Sequence, residues 1–283
     1  MIHVFYHRVD HDGKCSGAIV KSAHPDAVLH PINYNEPFPW KILKKEDTVF
    51  VVDFCLVPFS DMIRLNRSCH LIWIDHHISA IEDHIRSKEN ISGLRRVGHS
   101  GCMLTWEYCY PGQPLPKAVW LLGNYDVFKL TREILDFEYG MRSEDTDPNR
   151  LAYWDKLFNN DQVELDRILH NGSIIHDYVD RVNEGVVENA FAVKIDGLPG
   201  LAINSMRLSS LVFQSAPNLS DYKVLICYGF NGRNWSVSLY TNHPAVDVSK
   251  IAAKYGGGGH KGASGFSVDK SPIPSIMEPY VRT

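Results

Sequence analysis

His7, Asp10 and Asp12 lie in the stretch Tyr6-His-Arg-Val-Asp-His-Asp-Gly13, and Asp53 closes the apolar run that starts at Thr48. Asp75-His76-His77 follow Leu71-Ile-Trp-Ile74, and Asp126 sits in Gly123-Asn-Tyr-Asp-Val-Phe128. Most of these groups come at or just after the end of a predicted strand. In an open α/β sheet the carboxyl ends of the strands share one rim, where ligands bind. Four separate segments are therefore expected to bring carboxylates and imidazoles to one place. So many carboxylates on a half-buried rim repel each other strongly unless countered. Divalent cations are the simplest counter-charge. A mixed His and Asp set suits Mn²⁺ better than an all-oxygen magnesium cage or a thiolate zinc site, with Mg²⁺ the alternative.

Each motif also has a structural reading. Asp10-x-Asp12-Gly13 reads as a solvated turn with Gly13 at positive φ. Asp53 reads as a cap for the turn before Pro58, Asp75 as another turn cap, and Asp126 as a helix-end residue. In extended backbone the spacing of two puts Asp10 and Asp12 on one side and turns His11 away.

The surrounding elements are those that would position such a rim. Strands are expected over 2–6, 26–32, 48–53 and 71–75, with helices over 13–23 and 58–67, the latter started by Pro58 and capped by Ser60. Strands separated by helices predict βαβ units and a parallel sheet. Further helices are expected over 99–110 and 116–122, and residues 130–190 read as helical throughout. From Phe191 the texture becomes alternating strands with hairpin turns at 197–200 and 231–234, then a helix over 248–255. Ser100 opens a helix as a cap or as part of an anion site, two readings left open. Gly256-Gly-Gly-Gly-His260-Lys261 carries exposed backbone N–H groups that can approach a phosphate or base, beside added positive charge.

The motif set resembles the DHH phosphoesterase family. His7-x-x-Asp10-x-Asp12-Gly13, Asp53, Asp75-His76-His77 and Asp126 match its N-terminal motifs in order, and Gly256 to Phe266 looks like the glycine-rich signature of the DHH-associated C-terminal domain. The resemblance implies an α/β protein of two domains: a parallel-sheet DHH domain (1–140), a helical connector (141–190) and a smaller substrate-binding α/β domain (191–283). It implies that His7 and Asp10 hold one metal ion, that Asp12, His76 and Asp126 hold the other, and that Asp53 bridges them. His77 would face the substrate, and Asp75 would orient an imidazole. Gly257, Gly258, Gly259 and His260 would hold the nucleotide and its phosphate across an interdomain cleft, with Ser100 and Arg233 as further substrate contacts. Relatives carry an Arg in a Ser-Leu-Arg-Ser context where this chain has Ser238-Leu-Tyr-Thr241; Tyr240 offers a stacking face but no charge. The implied activity is a two-metal phosphodiesterase in which activated water cleaves short single-stranded oligonucleotides to mononucleotides. The alternatives within the family are a phosphoadenosine-phosphate phosphatase and a linear or cyclic dinucleotide hydrolase; outside it, a nucleotide-binding regulatory module.

Composition limits the partners. The 283 residues, 44% of them hydrophobic, suffice for one or two domains with real cores. A formal charge of −4 argues against sequence-blind binding of long duplexes. The six cysteines (15, 55, 69, 102, 109 and 227) form no C-x-x-C pair and read as buried, reduced thiols of a cytoplasmic protein. No signal peptide or membrane-length apolar run is evident, so no membrane partner is expected. A homodimer is an allowed assembly.

Overall fold

The computed structural model describes residues 1–34, 36–206, 208–259 and 261–280, in two compact units, one from Met1 to His176 and the other from Asp177 onward. The first unit runs β1 (Ile2–His7), α1 (His11–Ala23), β2 (Val28–Ile32), β3 (Thr48–Val52), α2 (Ser60–Ser68), β4 (His70–Ile74), α3 (Ile78–Ser87), α4 (Gly101–Cys109), α5 (Lys117–Asp126), α6 (Arg132–Met141), α7 (Leu151–Phe158) and α8 (Gln162–Val187), whose C-terminal part falls in the second unit.

Its four strands are all parallel, in the order β2-β1-β3-β4. Such a sheet needs cover on both faces, and β3 and β4 are accordingly apolar at every position after the first. Alternate residues go to opposite sides. Val4, Tyr6, Phe50, Val52 and Ile74 pack with Val20 of α1 and Leu104 of α4. Phe5, Val49, Val51, Leu71 and Trp73 pack with Met62 and Leu65 of α2 and Ala80 of α3. A third cluster joins α1, α4, α5, α6 and α7 to Leu165 and Ile168 of α8. The chain leaves β1 toward one edge of the sheet and β3 toward the other. The switch in strand order therefore lies between β1 and β3, where an open α/β sheet opens a crevice at its carboxyl end.

Two local expectations are corrected. Asp10 and Asp12 do not share an extended segment: α1 begins at His11, so Asp10 is its N-cap and Asp12 lies in its first turn. Ser60 does not cap α2; Phe59 holds that position, without a side-chain hydrogen bond.

The second unit contains β5 (Phe191–Ile195), β6 (Leu198–Asn204), β7 (Val224–Phe230), β8 (Trp235–Tyr240), α9 (Val248–Ala253), β9 (Gly258–Gly259), β10 (Ala263–Val268) and β11 (Met277–Pro279). They form one mixed sheet, β11-β5-β6-β7-β8-β10-β9, in which only β6 and β7 are parallel. Asp196 and Gly197 turn the β5–β6 hairpin with positive φ at both positions, which matches the twist of the paired strands. Among the described residues no helix is long and apolar enough to cross a membrane.

Candidate metal centre

Two donor groups form where β1 and β3 end side by side. His7 closes β1, and its Nδ1 stands 2.9 Å from Asp10 Oδ2 and 3.8 Å from Asp53 Oδ2. The second group centres on His76, just past β4. Its Nε2 lies 3.2 Å from Asp53 Oδ1, 3.4 Å from Asp126 Oδ2 and 3.8 Å from Asp12 Oδ2. Asp53 thus turns one carboxylate oxygen to each group. It is 2% exposed and has a left-handed backbone, φ 52°, immediately after β3. That conformation is uncommon outside glycine but tolerated by Asp, and strain of this kind concentrates at functional sites.

The donor atoms test what belongs there. Asp53 Oδ1, His76 Nε2 and Asp126 Oδ2 are buried without hydrogen-bond partners, although they converge on one another. Burial raises the pKa of Asp53 well above the usual carboxylate range, and the charges of Asp12, Asp10, Asp126 and Asp75 raise it further. Asp126 is raised by burial and then by Asp12 and Asp10. Burial lowers His76, more than its carboxylate neighbours raise it, so its imidazole is kept neutral. Neutral imidazole and crowded carboxylates with orphaned lone pairs fit divalent cations. The residues sort into His7, Asp10 and Asp53 on one side and Asp12, His76 and Asp126 on the other, with the ligand atoms of each set within 4.8 Å of one another.

Asp12 owes its place to α4. Its Oδ2 accepts from the Gly101 N–H and its Oδ1 from the Cys102 N–H, both at 2.7 Å. The N-terminus of α4 therefore binds an anion, but the anion is this internal carboxylate. Ser100 is correspondingly the N-cap, fully buried and accepting from the Met103 N–H at 3.3 Å, which corrects its assignment as a substrate contact. Gly101 has to be glycine, since a Cβ there would stand 2.5 Å from the Asp53 Cβ. Gly13 is likewise demanded by close approach, 2.0 Å to the His7 carbonyl oxygen, and not by a positive φ.

Asp75 is fully buried. Its Oδ1 accepts from the His76 N–H at 2.7 Å and lies 2.6 Å from His77 Nδ1. Burial opposes the charge on His77, but the Asp75 hydrogen bond and charge outweigh it and raise its pKa to about 9. His11 turns from the cluster and pairs through Nδ1 with Glu138 Oε2 at 2.8 Å.

Two residues of the site have no counterpart in the sequence reading. Asn33 follows β2 directly, and its Oδ1 faces His7 Nε2 at 3.3 Å, which leaves Nδ1 turned toward Asp10 and Asp53. The strand-end rule applied to the run 26–32 would have found it. Tyr34 packs its ring 4.7 Å from Phe54 and 5.7 Å from His7. Burial, then the charges of Asp75 and Asp53, push its phenol pKa up.

In the second unit the glycine string is not a free loop. Gly258 and Gly259 form β9 against Gly265 and Ser264 of β10, and a Cβ on Gly257 would stand 2.1 Å from the Gly265 oxygen. Arg233 is exposed in the β7–β8 turn, its N–H on Asn231 Oδ1 at 3.0 Å. Tyr240, expected as a stacking face, donates its hydroxyl to the Leu208 carbonyl at 3.1 Å. His260 lies outside the described residues.

No family model matches the chain. It is 27% identical over 262 residues to an uncharacterised protein of Acanthamoeba polyphaga mimivirus, spanning 86% of this chain but only 58% of that protein. It is 25% identical over 305 aligned positions to the oligoribonuclease NrnB of Bacillus subtilis (strain 168), covering 95% of this chain and 73% of that one. Among solved structures it is similar to the DHH domain of a protein assigned to a family of ribosomal proteins, with a TM-score of 0.64, 12% identity and coverage of 97% and 84%. It is also similar to a pGpG-specific phosphodiesterase, PggH, of Vibrio cholerae, with a TM-score of 0.59, 13% identity and coverage of 97% and 95%. The likeness to these two structures is one of fold, shared with a DHH domain over nearly the whole chain.

Proposed function

We propose that this chain is a phosphodiesterase that uses two divalent cations, Mn²⁺ by donor preference, to hydrolyse short oligonucleotides or dinucleotides to mononucleotides. The observation that carries the reading is Asp53, whose two oxygens face two separate donor groups. A carboxylate that faces both groups would hold two cations close together, as a two-metal phosphoryl-transfer site requires. His7, Asp10 and Asp53 would hold one ion, and Asp12, His76, Asp126 and Asp53 the other. When bound, such a pair supplies water of lowered pKa and positive charge for the phosphoryl oxygens.

The chain's own part is positioning and proton supply. Asn33 keeps the His7 Nδ1 lone pair toward Asp10 and Asp53. The Gly101 and Cys102 N–H groups at the start of α4 fix both oxygens of Asp12 and so hold it in place beside His76. Asp75 keeps His77 protonated at neutral pH, and this cation binds a phosphoryl oxygen or gives its proton to the leaving oxygen. The named activities of NrnB and PggH, on oligoribonucleotides and pGpG, support a short substrate.

The test is product chromatography with Mn²⁺-loaded protein given diribonucleotides, longer RNA, single-stranded DNA, cyclic dinucleotides and phosphoadenosine phosphate in parallel. Mononucleotides from the shortest linear substrates, lost in chelator and restored by Mn²⁺, are expected. Full turnover in chelator, or cleavage of phosphoadenosine phosphate alone, would overturn the reading.

A further inference from the structure

Phe128 stands two residues beyond Asp126, at a place where the backbone does not want it. Helix α5 ends in a Schellman close: the Phe128 N–H bonds to the Tyr125 oxygen at 3.1 Å and the Lys129 N–H to the Asn124 oxygen at 2.9 Å. Phe128 is the residue after the cap, with φ 57°. Glycine is favoured there because any Cβ is strained in the left-handed region. The hydrophobic contact that accompanies this motif joins its flanking residues, here Asn124 and Lys129, so the ring is not needed to close the helix. Nor is it stored in a core: Phe128 is 61% exposed. Among the described residues its ring is in contact with no other aromatic ring. A large aromatic side chain is thus kept in a strained, solvated position, two residues along the chain from a carboxylate of the second donor group.

We propose that Phe128 is a stacking platform for a nucleobase, set so that the phosphate of the same nucleotide reaches the Asp12, His76 and Asp126 group. The inference rests on the nucleotide reading of that group. It adds a residue that selects nucleotides over simple phosphate esters. Stacking accepts purines and pyrimidines alike, because every base has a π face. Selectivity then falls on the presence of a base and not on its identity. An exposed planar ring at the end of the helix that carries Asp126 provides that at no cost in hydrogen bonds.

The experiment is calorimetric binding of 5′-AMP and of ribose 5-phosphate to the Mn²⁺-loaded full chain, for wild type, Phe128→Gly and Phe128→Trp, with thermal unfolding of each. Wild type is expected to bind 5′-AMP more tightly than ribose 5-phosphate. Phe128→Gly should weaken 5′-AMP about 5- to 150-fold, the range of one base–aromatic contact, and leave ribose 5-phosphate unchanged. Its midpoint should hold or rise, because glycine relieves the left-handed strain. Phe128→Trp should keep the 5′-AMP affinity. Equal binding of the two ligands by wild type, or an unchanged 5′-AMP affinity in Phe128→Gly, overturns the proposal. So does a loss shared equally by both ligands with a lowered midpoint, which marks a structural role. None of these readouts needs turnover, so an absence of hydrolysis would count against the proposed activity and not against the stacking residue.

Discussion

Asp53→Asn separates a residue kept for metal from one kept for the fold. The amide preserves the volume of the carboxyl group at a fully buried position while removing its charge. In the metal-free protein that charge is a liability: burial and then four neighbouring carboxylates hold the Asp53 pKa well above its ordinary value. The substitution should therefore leave the metal-free midpoint of thermal unfolding unchanged or higher. The metal response should change in the opposite sense. Free Mn²⁺ at 100 times its Kd adds about 2.7 kcal/mol to a folded state that alone binds it. For a unit the size of Met1–His176, each kcal/mol moves the midpoint by about 2–4 °C, so one ion gives about 5–11 °C. Loss of the shared carboxylate should remove most of that shift. Scanning fluorimetry in chelator and across an Mn²⁺ series measures both numbers. A large fall in the metal-free midpoint would assign Asp53 to the fold. An undiminished Mn²⁺ shift would refute the bridging geometry.

Three further outcomes follow from the same site. Gly101→Ala places a Cβ 2.5 Å from the Asp53 Cβ and 2.8 Å from its Oδ1, so Asp53 or the start of α4 must move. A misplacement of about 1 Å costs on the order of 100-fold in turnover, with circular dichroism expected to show the fold intact. Asn33→Ala removes the partner of His7 Nε2 and should weaken Mn²⁺ binding about 10- to 100-fold by calorimetry; unchanged affinity would show that His7 needs no support. The third outcome concerns pH. Asp53 and Asp126 have raised pKa values when folded, so above the ordinary value of 3.8 the folded state binds more protons than the unfolded one, and metal-free stability falls as pH rises. Asp75 is lowered, so its contribution is complete above 3.8, while that of His77 is full below 6.5 and is lost progressively as pH rises to about 9, which adds to the same downward slope. Mn²⁺ should reverse it, and a metal-free midpoint that climbs from pH 5 to pH 8 would contradict the assignment of both carboxylates.

The strand ends were legible because parallel strands buried on both faces have to be apolar throughout, so the first polar residue after each run marks the rim. His7, Asp53 and Asp75 all follow that rule, and so does Asn33, which lacked only the carboxylate or imidazole that drew attention to the others. Long-range partners left no such trace. Nothing in the sequence places Gly101 against Asp53, because the two are joined only by the packing of α4 on the sheet. Nor does anything mark the α4 N-terminus as filled from within: Ser100 reads equally as a cap and as an anion contact until Asp12 is seen on the Gly101 and Cys102 N–H groups. Glu138, the partner of His11, comes from α6, more than a hundred residues away.

The turn into α1 between Asp10 and Asp12 lets a single short stretch supply both donor groups. In extended backbone the two carboxylates would lie on one side and crowd one position. The chain instead turns into α1 between them. Asp10, still extended as the N-cap, keeps one oxygen on the Gly13 N–H at 2.9 Å and the other 2.9 Å from His7. Asp12, one step inside the helix, is carried round toward α4 and His76. The helix start therefore divides the charge between the donor groups, and Asp53 at the switch point spans what that division leaves open. The glycine at position 13 belongs to the same device, since only a residue without Cβ lets the first turn of α1 pass the His7 carbonyl. A His, an Asp on either side of a helix start and a closely packed Gly thus form one mechanical unit, and the spacing within it reflects the geometry of a turn into a helix more than the pleat of a strand.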